Sequence, residues 1–347
     1  EKQTLIDSTN DRSTTYNMDV QFSMEPVKVP TTLECNNLRF TVKNTSKNIF
    51  RRGYDTCRSF DPGHTEILHG VSAKFEPGSL TCLMGPSGAG KTSLLSCLSG
   101  RAAGIIEGEV LLNGQPLKSR QMRMLLNFIP QDDTLWTSLS AREILMYQAD
   151  LELDMSAQQK RDRVNHLLSV LQIEKCADTM VGDELTRGIS GGQRKRVSIA
   201  MGLLTWPSIL FLDEPTSGLD SNTAEEIVKI LRLIASSGRT VIATIHQPSY
   251  DIFRLFDSLL LLDSGNVAYY GSVKHAPDYF ASLDFACPAY HNPAEYFMSV
   301  MNECNNAQKQ SSSEGGVVDG HNQFSSFGQR WRQYIDTHGT QQYLHEI

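Results

Sequence analysis

The chain has 347 residues, of which 40% are hydrophobic and 8% aromatic, so one large folded domain or about two are expected. With 32 basic and 39 acidic residues the formal charge is −7, which argues against a nucleic-acid partner unless a strong basic patch exists. The seven cysteines are scattered without a C-x-x-C pair, which argues against a zinc site and favours reduced thiols. No apolar run approaches the ~18 residues that cross a bilayer, so the chain as given is predicted to be soluble.

The first part of the chain predicts a lead-in followed by three strands. Residues 1–30 are polar with little periodicity and are predicted to be flexible. The alternating run LECNNLRFTV, residues 33–42, predicts a strand, and a loop rich in turn formers follows. Residues 66–85 then predict two strands around a turn at Pro77-Gly78, the second strand ending at Gly85.

A phosphate-binding loop is predicted immediately after that strand. The stretch GPSGAGKT, residues 85–92, fits G-x-x-x-x-G-K-[ST] between a predicted strand and a helix that continues from Ser93. Its three glycines let the backbone wrap with N–H groups pointing inward, at a helix N-terminus that favours anions. Lys91 is predicted to reach the β- and γ-phosphates and Thr92 to ligate Mg²⁺. The alternative is a glycine-rich turn with a solvated lysine.

The second half of the chain alternates strands and helices. Between residues 151 and 176, Val164, Leu167, Leu168 and Leu171 recur at helical spacing and predict an amphipathic helical subdomain. The runs SILFLDE, NTAEEIVKILRLIASSG, TVIATIH and SLLLLDSGNVAYYG predict a strand, a helix, a strand and a hairpin. This alternation predicts a mostly parallel sheet covered by helices. After about residue 303 the composition is that of a polar linker.

Two further motifs raise the question of a second anion site. Asp213-Glu214 ends the buried strand ILFL, where one carboxylate could hold Mg²⁺ and the next could polarise a water; the alternative is an ordinary loop start. ISGGQ, residues 189–193, begins a helix with Ser190 as a plausible N-cap and two glycines that expose backbone N–H groups. The alternative is an ordinary capped helix.

In this order, the P-loop, ISGGQ and ILFLDEPTSGLD resemble the ATPase cassette of ABC transporters, over roughly residues 33–300. The resemblance implies an α/β P-loop NTPase core with a mostly parallel sheet, an antiparallel β-subdomain and an α-helical signature subdomain. It implies a nucleotide-binding domain over 31–302, with the helical subdomain at about 132–205. Residues 303–347 would be a polar linker and a segment leading towards a membrane domain.

The resemblance also implies roles for particular residues. In the family, the signature loop contacts the ATP held by a second cassette, so two cassettes close over two ATPs. Glu214 would be the catalytic carboxylate, His246 would contact the γ-phosphate, and Gln131 would sense Mg²⁺ and water. The implied ATP-binding residues are Gly85, Pro86, Ser87, Gly88, Ala89, Gly90, Lys91, Thr92, Ser93 and Val42; the Mg²⁺ ligands are Thr92, Gln131 and Asp213; the signature is Ser190, Gly191, Gly192 and Gln193; and the D-loop is Ser217, Gly218, Leu219 and Asp220.

Several stretches resemble subfamily G, the white and pleiotropic-drug-resistance type: SGGQRKRVSIAMGLL, DEPTSGLDS, ATIHQPS and NPAEYF. Many members have Glu where this chain has Gln193. The resemblance implies an ATP-hydrolysing half-transporter subunit on the cytoplasmic face of a membrane, with its membrane domain in the same chain and a second cassette as partner. The implied activity is export of lipids, sterols or amphiphilic compounds. The adenine-stacking aromatic of the family is absent: Val42 takes its place, and Phe40 is predicted to face the core.

Other classes remain open at this point. A soluble regulatory cassette could close on ATP without turnover. A chromosome or repair ATPase is disfavoured because residues 93–188 show no sustained heptads. A ribosome-associated protein would have two cassettes. The basic cluster Arg194-Lys195-Arg196 is predicted to be a solvated face or an interface contact, and no nucleic-acid partner is expected.

Overall fold

The structure is a computed structural model that describes residues 24, 27, 29–43, 63–116, 125–183, 186–313 and 327–338. Its strands are β1 Leu33–Lys43, β2 His64–Phe75, β3 Leu80–Met84, β4 Ile105–Leu112, β5 Gln115–Pro116, β6 Leu126–Ile129, β7 Ile209–Leu212, β8 Thr240–Thr244, β9 Ser258–Asp263 and β10 Asn266–Ser272. Its helices are α1 Lys91–Leu98, α2 Ala141–Glu152, α3 Ala157–Val170, α4 Gly191–Leu203, α5 Ser221–Ser236, α6 Tyr250–Phe253, α7 Ala276–Ser282, α8 Pro293–Ser313 and α9 Phe327–His338.

A six-stranded sheet forms the centre of the domain. Its order is β10-β9-β3-β8-β7-β6, in which β10 pairs antiparallel with β9 and all other pairs are parallel. Every residue of β3, β7, β8 and β9 is buried, as expected for parallel strands covered on both faces. Helix α5 contributes a continuous apolar stripe that includes Ile227, Leu231 and Ile234. The predicted mostly parallel sheet is confirmed.

Two smaller units flank this sheet. The first is a four-stranded antiparallel sheet with the order β2-β1-β4-β5, in which Phe40 is buried as predicted. The second is a group of helices in which α2 packs against α3 and α4, with Val164, Leu167, Leu168 and Leu171 all buried. The α/β fold class with an antiparallel β-subdomain and an α-helical subdomain is therefore confirmed.

The C-terminal part differs from the linker predicted after residue 303. Helix α8 continues to Ser313, and α9 packs along β10. Phe327 and Trp331 of α9 are buried, and the Trp331 ring lies 5.4 Å from that of Tyr269 and 5.2 Å from that of Tyr279. A short apolar stripe on a polar helix is enough to dock it, which the average composition does not reveal. The boundary at residue 302 stays a prediction.

Two predicted loops lie largely outside the described residues. Of the lead-in over 1–30, the structure describes Met24, Val27, Val29 and Pro30, and Met24 is buried. The loop predicted between β1 and β2 falls mostly on residues 44–62, which are also outside the described ranges.

Candidate functional site

The P-loop occupies the turn between β3 and α1, as predicted, and two of its glycines are required by close approaches. Gly85 has φ 151°, and a Cβ there would lie 2.3 Å from the carbonyl oxygen of Leu262. Gly90, with φ 99°, is the N-cap of α1; a Cβ there would lie 2.9 Å from the Leu68 side chain. The loop therefore packs tightly against β9 and β2, and the first amides of α1 are left for an anion.

Lys91 is folded back onto the loop that precedes it. Its Nζ donates to the carbonyl oxygens of Gly85, at 2.8 Å, and Pro86, at 3.1 Å. Burial lowers the pKa of Lys91, and the nearby carboxylates of Glu214 and Asp213 oppose part of that shift. The ammonium group thus lies between the loop and the acidic end of β7, where it can neutralise charge on a bound phosphate.

Thr244 at the end of β8 organises the acidic pair that follows β7. The Thr244 hydroxyl donates to Oδ1 of Asp213 at 2.6 Å, and the Glu214 backbone N–H donates to the same hydroxyl oxygen at 2.7 Å. Asp213 is buried, whereas Glu214 is half-buried and adopts a left-handed backbone with φ 44°. A non-glycine residue in this region costs roughly 1 kcal/mol or more. The chain therefore turns sharply directly after Asp213.

A cavity of about 750 Å³ opens beside the P-loop. It is lined by residues 86–89, by His246, Gln247 and Ser264, and by residues of α8. His246 is exposed and lies two residues after the end of β8. The structure therefore places His246 in the same cavity as residues 86–89 of the P-loop, and its contact with the γ-phosphate stays a prediction. Neither Gln131 nor residues 190–193 are among the described residues that line this cavity.

The ISGGQ segment forms a separate, outward-facing helix start. Ser190 caps α4 by accepting from the Gln193 N–H at 3.3 Å, and Gln193 Oε1 accepts from the Ser190 N–H at 2.9 Å. Gly192 is buried, and a Cβ there would lie 2.3 Å from the Thr223 side chain. This capping box leaves the Ser190 hydroxyl proton free to donate. The side chain of Gln193 is used within its own chain, and Glu could serve in the same way.

The predicted D-loop connects the acidic pair to α5. Ser217 and Gly218 are exposed, Gly218 with φ 73°, and the Ser217 N–H donates to the Glu214 carbonyl at 3.1 Å. Asp220 caps α5 by accepting from the Thr223 N–H at 3.0 Å and from its hydroxyl at 2.6 Å. The Thr223 bonds lower the pKa of Asp220. The exposed tip of this loop is available for an intermolecular contact.

The basic cluster Arg194-Lys195-Arg196 lies on α4. The prediction that it forms a solvated face or an interface contact is wrong for Lys195 and Arg196, which are buried. Lys195 is 3% exposed and Arg196 9%, and Arg196 pairs with Glu226 of α5. Lys195 Nζ donates to the carbonyl oxygen of Gln131 at 2.8 Å and lies 2.8 Å from Oδ1 of Asp133. A buried lysine needs such partners. Lys195 therefore joins the helix that begins at Ser190 to the loop that carries Gln131.

The remaining predicted site residues are spread over the domain. Gln131 and Thr92 are exposed. Val42 is half-buried near the end of β1, paired with Thr65, and is not among the lining residues of the P-loop cavity. Its contact with adenine stays a prediction. Sequence reasoning missed Thr244 and Lys195, although Thr244 lies only two residues before His246 in ATIHQPS.

Thr92, Gln131 and Asp213 would supply the oxygen ligands that Mg²⁺ prefers: a hydroxyl, an amide carbonyl and a carboxylate. The donor set therefore fits this metal. The carboxylate of Asp213 is held from one side by Thr244, through its Oδ1 atom, which fixes its orientation.

Comparison with known proteins finds relatives that share this region. A rat protein named "Broad substrate specificity ATP-binding cassette transporter ABCG2" is 46% identical over 199 residues, covering 57% of this chain and 30% of the relative. "ABC transporter G family member 6" of Arabidopsis thaliana is 37% identical over 314 residues, covering 87% of this chain and 43% of the relative. Human "ATP-binding cassette sub-family G member 8" is 42% identical over 203 residues, covering 58% and 30% respectively. The chain thus spans less than half the length of these relatives.

Fold and site together define a P-loop ATPase domain of the ATP-binding-cassette class, whose ligand is ATP. The family profile described as "ABC transporter" matches residues 68–217, and one described as "ABC-2 type transporter" matches residues 246–317. The chain belongs to the ABC transporter family, in its subfamily G.

The ABC-2 match covers β9 and β10 of the central sheet, α7, which contacts β10, and α8, which lines the cavity beside the P-loop. In the described ranges, no helix has the length and apolarity that crossing a bilayer requires.

Proposed function

We propose that this chain is the ATP-hydrolysing motor of an exporter that works as a pair of cassettes. One observation carries the proposal. The chain has a P-loop cavity with His246 and, elsewhere on its surface, a capped glycine loop at Ser190 that does not line that cavity. Each chain thus has two half-sites. A second copy or a similar cassette would bring its Ser190 loop to the ATP on this P-loop. In return, the Ser190 loop of this chain would contact the ATP on the P-loop of the partner.

Within one site, each residue has a proposed task. Lys91 and backbone N–H groups of the P-loop and of the first turn of α1 hold the phosphates. Thr92, Gln131 and Asp213 would hold Mg²⁺, which when bound neutralises phosphate charge. Glu214 orients the attacking water or accepts its proton, and His246 contacts the γ-phosphate beside the P-loop. The bonds of Thr244 support this division, because they hold the Asp213 carboxylate and the backbone of Glu214 separately.

The loop containing Gln131 is the proposed contact with a membrane domain of the full-length protein. Beside it lies a second cavity of about 210 Å³ lined by residues that include Pro130, Leu135, Gln148 and Met201. Its mixed polar and apolar lining suits a protruding loop or short helix of a membrane domain. ATP-driven closure would move this surface on the cytoplasmic side of the membrane.

The proposed cargo is a lipid, a sterol or another amphiphilic compound, as the resemblance to subfamily G implies. One relative is named for broad substrate specificity, which is compatible with more than one cargo. The regulatory alternative, closure on ATP without turnover, loses support because the named relatives are transporters. The membrane helices would select the cargo.

The pairing can be tested by light scattering of the Glu214→Gln protein with and without Mg-ATP, at several protein concentrations. Removing the catalytic carboxylate should preserve ATP binding and trap the closed pair, so the apparent mass should double with ATP. Ser190→Arg in the same background should abolish the doubling.

Ser156→Arg is the matched control. Ser156 caps α3 through the same capping box, with its N–H donating to Gln159 at 3.0 Å and its Oγ accepting at 3.3 Å. Ser156→Arg should therefore leave the ATP-driven doubling of the apparent mass intact. Equal loss in both variants would mean that only helix capping matters, and near wild-type turnover by Glu214→Gln would reject its catalytic role.

A further inference from the structure

Part of the lining of the cavity beside the P-loop comes from α8, which contains none of the predicted nucleotide-binding motifs. Three asparagines of α8, Asn302, Asn305 and Asn306, line it together with Met298. Residues at these spacings share one face of a helix. An amide-rich face of α8 therefore lines the same cavity as residues 86–89 and His246.

Asn305 fixes this face in place. Its Nδ2 donates to Oδ1 of Asp263 at 2.8 Å, and the Ser264 hydroxyl donates to the same oxygen at 3.2 Å. Asp263 is 2% exposed, so these bonds satisfy a buried carboxylate. The turn after Asp263 also donates the Gly265 N–H to the Ala89 carbonyl at 3.1 Å. Helix α8 is thereby tied to the P-loop through one turn.

Asn302 and Asn306 are not used in this way. Both side chains belong to exposed residues, and neither has a hydrogen-bond partner among the residues that the structure describes. The lining residues in the described ranges include no carboxylate; their polar groups are the hydroxyls of Ser87 and Ser264, the amides of Gln247 and the asparagines, and the imidazole of His246. Such a wall offers neutral donors to an anion.

We expect the phosphate end of a nucleotide to lie nearest this wall, because residues 86–89 of the phosphate-binding loop line the same cavity. The cavity contains the first residues of the P-loop and His246, whereas Val42, the predicted adenine contact, is not among its lining residues. We propose that the side-chain amide of Asn302, with Asn306 beside it, donates to the terminal phosphate of ATP bound on the same chain. This inference rests on the assignment of ATP to the P-loop. Through this contact α8 distinguishes ATP from ADP.

The test is a fluorescence titration of ATP and of ADP in the Glu214→Gln background, which prevents turnover. Since a hydrogen bond to a charged group is lost, Asn302→Ala should weaken ATP roughly tenfold and leave ADP within about twofold. Asn302→Asp should weaken ATP further, because it places a carboxylate beside the phosphate. The control is Ser299→Asp, the same charge change one turn earlier at an exposed residue outside the cavity, which should leave both affinities unchanged.

The possible outcomes distinguish a failure of the proposed function from a failure of the Asn302 contact. If the Glu214→Gln protein itself bound no ATP, the proposed function would fail before Asn302 was tested. If it bound ATP and both Asn302 variants kept its ATP and ADP affinities, the phosphate contact would be overturned. Equal weakening of ATP binding and ADP binding would also overturn the phosphate contact. If the affinities were unchanged but the ATP-driven mass doubling were lost, this face of α8 would instead contact a second copy of the chain.

Discussion

Thr244 holds both acidic residues of the site in place through its hydroxyl group. Its hydroxyl is the donor to Asp213 and the acceptor for the Glu214 N–H, and Thr244 itself is fully buried. Both acidic residues therefore depend on one hydroxyl from the neighbouring strand. The carboxylate and the backbone turn are fixed together, so losing the hydroxyl should affect position as well as stability.

We expect Thr244→Val to lower the free energy of unfolding by about 2–4 kcal/mol, because it leaves a buried carboxylate oxygen and an N–H without their partner. ATPase activity per folded molecule should fall at least about tenfold, since the carboxylates lose their fixed orientation. Urea unfolding and steady-state ATP hydrolysis measure the two effects.

Thr240→Val is the control on the same strand. Thr240 is fully buried and its hydroxyl donates to the Thr31 carbonyl at 2.7 Å, away from the acidic pair. Its loss should cost about 1–2 kcal/mol and leave activity per folded molecule unchanged. A similar loss of activity in both variants would show that Thr244 acts only through general stability.

Among the elements, α4 is distinguished by its connection to the Gln131 loop. Lys195 supplies this link from inside the protein through the Gln131 carbonyl and Asp133. Because α4 begins at Ser190, a displacement of that helix start would be passed to the loop at Gln131. The two regions belong to different ATP sites in the proposed pair.

Lys195→Met should lower the free energy of unfolding by about 2–4 kcal/mol, because Asp133 keeps its charge without a buried partner. Amide hydrogen exchange over residues 131–135 should accelerate at least about tenfold, since the loop loses its anchor. Unchanged exchange in a destabilised variant would mean that Lys195 does not hold the loop.

Lys160→Met provides the comparison for a lysine–aspartate pair. Lys160 lies 3.1 Å from Asp150, whose side chain is 61% exposed. Because the aspartate is largely in solvent, although the Lys160 side chain is 12% exposed, this pair should contribute about 1 kcal/mol or less. Loop exchange should remain as in the wild type.

At the scale of the whole molecule, the docking of α9 decides how far the folded body extends along the chain. Trp331 is 8% exposed among the rings of Tyr269, Tyr279 and Tyr334. The Arg332 side chain also donates to the Asn266 side chain at 2.9 Å. The helix thus contacts the sheet through both apolar and polar groups.

Trp331→Ala should lower the free energy of unfolding by about 3–5 kcal/mol, the usual cost of truncating a buried tryptophan. Trp136→Ala, at a residue that is 60% exposed, should change it by less than about 0.5 kcal/mol. Denaturant unfolding followed by circular dichroism measures both, and equal stabilities would place α9 outside the cooperative unit.

The parts of the molecule that sequence could predict are those encoded by local patterns. Buried runs, helical spacing and the order of the glycine motifs were sufficient for the central sheet, the helical subdomain and the P-loop. The spacing of Phe327, Trp331, Tyr334 and Ile335 also carried a helical signal, but it was masked by the polar composition around it. The burial of Lys195 could not be predicted, because it depends on Asp133, which is distant in the chain.

The P-loop of this protein is held from outside before any nucleotide arrives. Gly85 packs against the Leu262 carbonyl and Ala89 accepts from Gly265, so the turn after β9 acts as a brace. A ligand that enters a braced loop does not have to order it, and the entropic cost of binding is correspondingly small. Calorimetry of ADP binding should therefore show a modest entropy penalty and little heat-capacity change, with the larger changes appearing only when two chains close over ATP.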